Sequence, residues 1–405
     1  MRSKPIAALV AAEIVSILGS RMTYLALPWF VLVTTGSPAK MTFVLAAEVL
    51  PIAIFGIPSG MLVERLGARR TMLLCDAVRA PLLASLPILH SAGLLSFPLL
   101  LGLVFALGCF MAPYFSAQRV ILPELVGEDE TTIAQANSVI EGGTAFAGLA
   151  GPALAGILIP FLSAPNVLYV DAATYVVSFI LLARFVPKTK KQEGAAQTGV
   201  LGGISFFLRD RLLGPLGATV IAINLLGSAL SATLPFYAFD AFSGSSKVAG
   251  LFYTAGGAGA LLGSIGAVLV VKRVPPLRLA SLAIVAMTLP LWLLPLGLPA
   301  WGVMATLFLT MLFAPLVNGP IIGVVTARTP PELRAKVMTA LVSVSSVSVP
   351  LGFIAAGQLL GRWEVEQVFA AIAVGLTVNA LAFATVAFRR GDAEAATEAP
   401  APAPS

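Results

Sequence analysis

Twelve apolar runs, each long enough to cross a bilayer as a helix, constrain this sequence more than any other feature. A helical span takes about 20 apolar residues, and such runs follow one another from residue 6 to residue 388. Only 11% of the 405 residues are Asp, Glu, Lys or Arg, against about 25% in a typical soluble domain. The sequence therefore predicts an all-α membrane protein. It excludes a soluble globule, a nucleic-acid-binding protein and a disordered chain.

The breaks between the runs set the bounds of the predicted spans. These are 6–34, 41–62, 71–91, 97–117, 138–160, 167–186, 213–237, 248–271, 279–297, 301–324, 337–360 and 366–388. Prolines interrupt several of them, namely Pro28, Pro51, Pro58, Pro152, Pro235, Pro290 and Pro350. In a membrane bundle, neighbouring groups can satisfy the carbonyl that a proline leaves free, so we expect kinked rather than broken helices.

The basic residues orient the chain in the membrane. With the N-terminus placed in the cytoplasm, 20 of the 25 Lys and Arg fall in cytoplasmic segments, 3 in external loops and 2 within spans. Cytoplasmic loops of membrane proteins carry this excess of Lys and Arg. The sequence therefore predicts that both termini are cytoplasmic, in a multi-pass protein of the plasma (inner) membrane.

One long polar stretch divides the spans six and six. The predicted organisation is an N-terminal six-helix bundle over 1–187, a cytoplasmic linker over 188–211 and a C-terminal six-helix bundle over 212–390. The Ala-, Pro- and Glu-rich end, 391–405, has the composition of a disordered tail.

The two halves also resemble each other. Ala112-Pro113 followed by Pro123-Glu124-Leu125 in the first half matches Ala314-Pro315 followed by Pro331-Glu332-Leu333 in the second. Parallel repeats of this kind are typical of alternating-access carriers, whose substrate site lies near the bilayer midplane between the repeats.

Residues suited to metal or covalent chemistry are scarce. The chain has one histidine, His90, and two cysteines, Cys75 and Cys109, whereas a zinc site needs about four close N, O or S ligands. The glycine-rich run 257–263 lacks the Gly-Lys-Ser/Thr ending of a phosphate-binding loop. We therefore expect neither metal nor cofactor, and a transporter rather than an enzyme.

A loop between spans 2 and 3 carries a family signature. It reads Gly60-x-x-x-Glu64-Arg65-x-Gly67-Ala68-Arg69-Arg70 and resembles the cytoplasmic motif G-x-x-x-D-R-x-G-R-R of the major facilitator superfamily, with Glu64 in place of Asp and Ala68 within the basic run. The resemblance implies that Glu64 latches a cytoplasmic gate. The alternative is that the arginines only anchor the loop on the cytoplasmic side.

Further stretches resemble the drug and macrolide exporter branch of that superfamily. They are Ser16-Ile17-Leu18-Gly19-Ser20, Ala26-Leu27-Pro28-Trp29, Ala136-Asn137-Ser138 and Pro331-Glu332-Leu333-Arg334. In span 5, Gly151, Pro152 and Gly156 match the pattern G-x-x-x-G-P-x-x-G-G that is associated with antiport, whereas Ala147 and Ala155 replace glycines. The resemblance implies a bacterial exporter.

Five acidic residues fall within the predicted spans: Glu13, Glu48, Asp76, Glu141 and Asp171. A charge at the membrane centre costs about 2.5–3.5 kcal/mol, so five facing lipid would cost roughly 15 kcal/mol. Glu141 and Asp171 lie near span ends, which predicts structural or interfacial roles.

Ion pairing would lower the cost of placing some of the remaining acidic residues in the membrane. Asp76 and Arg79 are three residues apart and share a helix face, which favours a structural pair. Arg21 could reach Glu48 on the next span, although the hairpin register separates them by roughly six residues in depth. Arg119 is a further ion-pair candidate.

Glu13 and Glu48 are the deepest acids and the candidates for proton coupling. Glu13 shares a polar stripe with Ser16, Ser20 and Tyr24 on one face of span 1. A carboxyl group in a poorly hydrated cavity favours its neutral form, which suits a site that binds and releases a proton. Tyr24, Tyr114 and, in the second half, the neutral Asn224 are candidates to line the cavity.

The sequence therefore predicts a secondary active transporter that exports small amphipathic or hydrophobic compounds by alternating access and proton antiport. Its expected partners are a small-molecule substrate, protons and the lipid bilayer, with no nucleic acid and a monomeric chain. The alternative is a lipid or metabolite flippase or exporter that is not coupled to protons.

Overall fold

In the computed structural model, the described residues are 4–56, 58–126, 130–188, 213–271 and 273–398. These residues form fourteen α-helices, one 3₁₀ helix and no β-strand. The α-helices are α1 (Lys4–Thr35), α2 (Pro38–Phe55), α3 (Ser59–Leu66), α4 (Ala68–Ser91), α5 (Phe97–Cys109), α6 (Met111–Val126), α7 (Glu130–Leu162), α8 (Ala164–Phe185), α9 (Leu213–Ala241), α10 (Ser246–Val270), α11 (Pro276–Thr288), α12 (Ala300–Arg328), α13 (Pro331–Leu360) and α14 (Val365–Glu398).

Twelve helical stretches in the described residues are long and apolar enough to cross a membrane. Their positions follow the predicted spans, with α5 and α6 together making the fourth and α11 with the 3₁₀ helix Pro290–Leu296 making the ninth. The prediction of a twelve-span all-α membrane protein is confirmed.

The prolines act in two ways. Pro28, Pro51 and Pro152 remain inside continuous helices, as expected for a membrane bundle. Pro58 instead separates α2 from α3, so the second span ends at Phe55 rather than at 62, and Pro290 opens the 3₁₀ helix. The expectation of a kink is wrong at these two positions, where the helix ends because proline has no N–H to donate.

Two glycines allow the first helices to turn and to pack closely. Gly67 joins α3 to α4 with φ of 81° and donates its N–H to the Val63 carbonyl at 2.8 Å, a backbone conformation that favours glycine. On α5, a Cβ at Gly108 would lie 2.3 Å from the Glu48 carbonyl oxygen. Glycine is therefore what lets α5 approach α2.

The chain divides into two compact units. Unit 1 comprises Met1–Ala196, Ser228–Thr254 and Ser346–Val365. One core of this unit is formed by apolar side chains of α1, α4, α6 and α8, including Leu9, Met72 and Ile121. The predicted N-terminal bundle, 1–187, falls entirely within unit 1.

Unit 2 comprises Gln197–Gly227, Ala255–Ser345 and Glu366–Ser405. Its core includes Leu216, Ile284 and Phe383. Because parts of the predicted C-terminal bundle, 212–390, group with unit 1, the units do not coincide with the two sequence halves. The division into two six-helix bundles stays a prediction.

The predicted linker and tail are only partly described by the structure. Of the linker, only Lys188 is among the described residues. The helix α14 continues to Glu398, eight residues into the predicted tail. The disordered tail over 391–405 stays a prediction. Residues 399–405 lie outside the described residues.

Candidate functional site

The polar stripe of α1 faces other helices of unit 1. Glu13 and Ser16 are buried, and Ser20 and Tyr24 are half-buried. Glu13 accepts a hydrogen bond from Gln118 Nε2 of α6 at 2.9 Å through Oε2. Its other oxygen, Oε1, is buried and has no partner among the described residues.

Asp171 is fully buried on α8 and bonded to α1. Its Oδ2 accepts from Thr23 Oγ1 at 2.6 Å, and its Oδ1 accepts from Thr174 Oγ1 at 3.0 Å. The sequence predicts a structural or interfacial role for this residue. Helix α8 begins at Ala164, so about two turns, or roughly 10 Å, precede Asp171. Its hydrogen bonds fit the structural alternative, which stays a prediction.

Arg79 is buried and lies against tyrosines. Its guanidinium carbon is 4.1 Å from the centre of the Tyr175 ring and 5.8 Å from that of Tyr114, a cation–π arrangement. The Nη2 group also donates to the Tyr175 hydroxyl and, at 3.5 Å, to Ser20 Oγ. Asp76 instead accepts from Ser178 Oγ at 2.7 Å. No salt bridge joins Asp76 and Arg79 in the described part of the chain, where each bonds α8 instead. The two charges still interact electrostatically.

Glu48 and Arg21 make no ion pair in the structure. Glu48 is half-buried and its Oε2 has no partner among the described residues, whereas Arg21 is exposed. The two charges still interact electrostatically, as does Glu48 with Arg79 and Asp171. The direct contact that the sequence left open is absent.

Of the other predicted site residues, two lie outside this network. Arg119 and Glu141 are exposed, so neither belongs to the buried cluster. The Tyr24 hydroxyl bonds Ser231 Oγ at 2.9 Å. In unit 2, Asn224 Nδ2 donates to the Val220 carbonyl of its own helix at 2.9 Å. Tyr114 is buried, and its hydroxyl has no partner among the described residues.

The loop signature is built around Gly67, and Arg69 ties it to α8. Arg69 donates to the carbonyls of Leu182 and Ala183, at 3.3 and 2.7 Å. These carbonyls lie at the negative end of the α8 dipole, where a cation is favoured.

The remaining signature residues make fewer contacts. Arg65 and Arg70 are exposed, and a Cβ added at Gly60 would meet no other atom within 4 Å. Within the described part of the chain, Glu64 makes no hydrogen bond or salt bridge. Its latching role therefore stays a prediction.

The span-5 motif is a surface of close helix contact. A Cβ at Gly151 would lie 2.4 Å from Arg21 Cβ of α1, and one at Gly156 would lie 2.7 Å from the Ser246 carbonyl oxygen of α10. Ser246 Oγ also donates to the Gly156 carbonyl at 3.2 Å. The Pro152 carbonyl oxygen lies 2.5 Å from where a Cβ at Gly250 would be. Small residues here let the backbones of α7, α1 and α10 approach.

Several partners in the network were missed by sequence reasoning. Thr23 and Gln118 gave no signal in the sequence. Tyr175 and Ser178 follow Asp171 at i+4 and i+7, so a polar stripe on α8 could have been found by the argument used for α1.

A separate cavity of about 520 Å³ lies at one end of α1, α4, α7 and α8. Trp29, Phe30, His90 and Asn166 are among its lining residues, and the His90 ring meets Phe30 edge-on at 4.8 Å. None of the buried acids lines it. The described residues contain no group of three His, Cys, Asp or Glu placed to hold a metal ion.

The buried network has the chemistry of a charge-handling site inside a membrane. Glu13, Asp76 and Asp171 are fully buried and share hydrogen bonds with neutral side chains. Each buried polar atom left without a partner costs about 1–3 kcal/mol. Such intramembrane ionisable residues are rare and mark ion or proton pathways by default.

Comparison with known proteins gives the family. Residues 9–348 match the model of the Major Facilitator Superfamily. The chain belongs to this superfamily. It is therefore a membrane transporter, and the resemblance seen in the loop signature is confirmed.

Its relatives in the Major Facilitator Superfamily include drug pumps. The multidrug efflux pump Tap of Mycolicibacterium fortuitum is 27% identical over 388 residues, covering 91% of this chain and 92% of the relative. The multidrug efflux pump Tap of Mycobacterium tuberculosis is 24% identical over 385 residues, covering 91% and 90%. These relatives and the twelve spans identify a multi-pass protein of the bacterial inner membrane.

Solved structures show the same fold. The nucleoside transporter NupG has a TM-score of 0.77 at 16% identity, covering 94% of this chain and 99% of NupG. A bacterial homologue of the human lysosomal transporter Spinster, inward-facing and occupied, has a TM-score of 0.76 at 14% identity, covering 95% and 96%. At these identities the likeness shows the major facilitator fold alone.

Proposed function

We propose that this transporter exports small amphipathic or hydrophobic compounds by proton antiport and alternating access. Full-length similarity to multidrug efflux pumps supports export of such compounds. The observation that carries the coupling is Glu13, which is fully buried on α1 and whose one hydrogen-bond partner among the described residues is a neutral amide.

The surroundings of Glu13 suit a group that changes its protonation during a cycle. Burying a carboxylate costs much more than burying a neutral carboxylic acid unless the charge is paired. Glu13 has no salt-bridge partner among the described residues, so it can take up or release a proton without breaking an ion pair. Gln118 can stay bonded to Oε2 in both states, because that oxygen accepts either way.

Glu48 is the second candidate for the coupling proton. It is half-buried, with one buried oxygen that lacks a partner in the described part of the chain. Glu48 is partly exposed, whereas Glu13 is fully buried. A carboxyl group that carries a proton needs access to water at one stage of the cycle and has to be shielded from water at another. Both residues therefore have to be tested.

The test is dye transport by the purified protein in liposomes. Ethidium serves as the probe, and an imposed proton gradient drives transport, with and without a protonophore. Glu13→Gln and Glu48→Gln keep the size of the side chain and remove its titration. Glu141→Gln is the matched control, because Glu141 is exposed on α7.

We expect gradient-driven ethidium transport by the wild-type protein and by Glu141→Gln, and its loss in at least one of the other variants. Substrate counterflow without a gradient should persist in that variant. Its persistence would show that substrate binding and the alternating-access transition are intact. Intact gradient-driven transport in both variants would refute the coupling role of these carboxyls. Protonophore-insensitive movement of a fluorescent phospholipid, without ethidium transport, would instead support a flippase.

A further inference from the structure

Of the buried polar atoms of unit 1 that lack a partner in the described part of the chain, four lie on three neighbouring helices. They are Glu13 Oε1 on α1, Asp76 Oδ1 and Arg79 Nε on α4, and the Tyr114 hydroxyl on α6. Helix α6 packs against both α1 and α4. Tyr114 itself belongs to one core cluster, together with Ala12 and Cys75, the sequence neighbours of Glu13 and Asp76.

Tyr114 of α6 interacts with residues on both α1 and α4. It is 4% exposed and sits one helical turn before Gln118, whose side chain bonds Glu13. Its ring faces the Arg79 guanidinium at 5.8 Å. Its hydroxyl lies near Ser178, which donates to Asp76, and it interacts electrostatically with Asp76, Glu13 and Arg79. Tyr114 therefore interacts with Glu13 of α1 and with the charges of α4.

Each carboxyl has one oxygen fixed and one left over. Gln118 holds Oε2 of Glu13, and Ser178 holds Oδ2 of Asp76 at 2.7 Å. The remaining oxygens, Oε1 and Oδ1, are acceptors, the Arg79 Nε–H is a donor, and the Tyr114 hydroxyl is both. Buried polar groups that the protein leaves unpaired typically bind ordered water, which makes two to four hydrogen bonds.

We propose that α1, α4 and α6 bind a short chain of water molecules between Glu13 and Asp76, with the Tyr114 hydroxyl as its central link, and that protons move along it. The water chain follows from the four unpaired atoms. Its role as a proton relay rests on the proposed proton coupling.

The transfer conserves protons and charge. A protonated Asp76 gives its proton to the adjacent water, which passes one of its own to the Tyr114 oxygen. Tyr114 passes its hydroxyl hydrogen to the second water, which gives one to Glu13 Oε1. The net result is one proton moved from Asp76 to Glu13, with Tyr114 and both waters neutral as before. The reverse path carries a proton in the other direction.

Hydration is tested first, in nanodiscs, by X-ray radiolytic labelling with mass spectrometry. A bound water generates hydroxyl radicals beside its neighbours, so a sealed tyrosine next to water is oxidised faster than a sealed tyrosine without it. Tyr237 is the internal reference, because it is 1% exposed and packed against Phe242 and Phe252. We expect Tyr114 to be oxidised several-fold faster than Tyr237. Equal rates would overturn the water chain.

The relay is tested with Tyr114→Phe, and Tyr169→Phe is the control because Tyr169 is an exposed tyrosine of α8. Proton movement driven by ethidium is followed with a pH-sensitive dye in liposomes. We expect Tyr114→Phe to bind ethidium as the wild type does and to slow proton movement by roughly tenfold or more, since the chain loses one link. A larger solvent isotope effect should accompany this loss, which a purely structural defect would not produce.

The outcomes separate the two proposals. Wild-type rates in Tyr114→Phe would overturn the relay. A wild-type protein that moves ethidium but no protons would refute the proposed coupling and the relay together, and the labelling rate of Tyr114 would still decide the water chain. If Tyr114→Phe does not fold, Gln118→Ala replaces it and should also slow proton movement without changing ethidium affinity.

Discussion

Gly151→Ala is expected to force α7 away from α1. A Cβ at this position would lie 2.4 Å from Arg21 Cβ and 3.0 Å from the Arg21 carbonyl carbon. Carbon atoms rest at about 3.5–4.0 Å, so the first contact falls short by roughly 1.1–1.6 Å. Both helices have to move, because the atoms in the way are backbone or Cβ atoms that no rotamer change displaces.

The expected loss of stability follows from two opposing terms. Overpacking of this kind typically costs about 1–3 kcal/mol. Replacing a helical glycine with alanine returns up to about 1 kcal/mol through helix propensity. Because the clash is with Cβ and backbone atoms, the upper part of the first range, about 2–3 kcal/mol, applies. After about 1 kcal/mol is returned, we expect the free energy of unfolding to fall by about 1–2 kcal/mol.

The assay uses a thiol that is sealed in the folded protein. Cys75 is fully buried, so a maleimide that fluoresces on reaction reports its exposure as the protein unfolds with temperature or in SDS. Gly148→Ala is the matched control on the same helix, because a Cβ there meets nothing within 4 Å. This control should be as stable as the wild type or slightly more stable.

Two results would refute the reasoning. Wild-type stability in Gly151→Ala would mean that α1 and α7 do not approach as closely as the structure shows. An equal loss in Gly148→Ala would mean that the helix responds to any added methyl group, whatever its contacts.

Three further predictions follow from other contacts. Thr23→Val should lower the free energy of unfolding by about 1–3 kcal/mol in SDS titration, because it leaves Asp171 Oδ2 without its hydroxyl donor. Thr23→Ser keeps a hydroxyl and should retain most of the wild-type stability. Wild-type stability in Thr23→Val would argue against the hydrogen bond. Arg69→Ala should cost about 0.5–2 kcal/mol in the same assay by removing two bonds to the end of α8, an effect that high salt should not abolish. In a cysteine-free background, Lys247→Cys should react with an impermeant maleimide on intact cells and Arg65→Cys only after permeabilisation; the opposite pattern would overturn the predicted orientation.

The sequence predicts the spans and one of the turns, because their signals are local. Hydrophobic length fixes twelve helices, and glycine at position 67 marks a turn that the backbone requires. The polar stripe of α1 is local too, since helical periodicity alone places Glu13 and Ser20 toward one side of the helix.

Most of the residues that bond the buried charged side chains lie far from them in the sequence. Asp76 and Arg79 do share a face, yet that face meets α8, whose Tyr175 and Ser178 compete for their hydrogen bonds. Spacing along one helix cannot show which neighbour will be opposite. Gln118 lies 105 residues from Glu13, and only the packing of α6 against α1 brings them together.

The four acids nearest the network are distributed one to a helix. Glu13, Glu48, Asp76 and Asp171 are the single acidic residues of α1, α2, α4 and α8. During synthesis each helix therefore enters the lipid with one carboxyl group. Inserting that group costs about 2.5–3.5 kcal/mol, which the long apolar sequence of the helix can outweigh. Each segment can enter the membrane singly from the ribosome, and the cluster comes together only when the inserted helices associate.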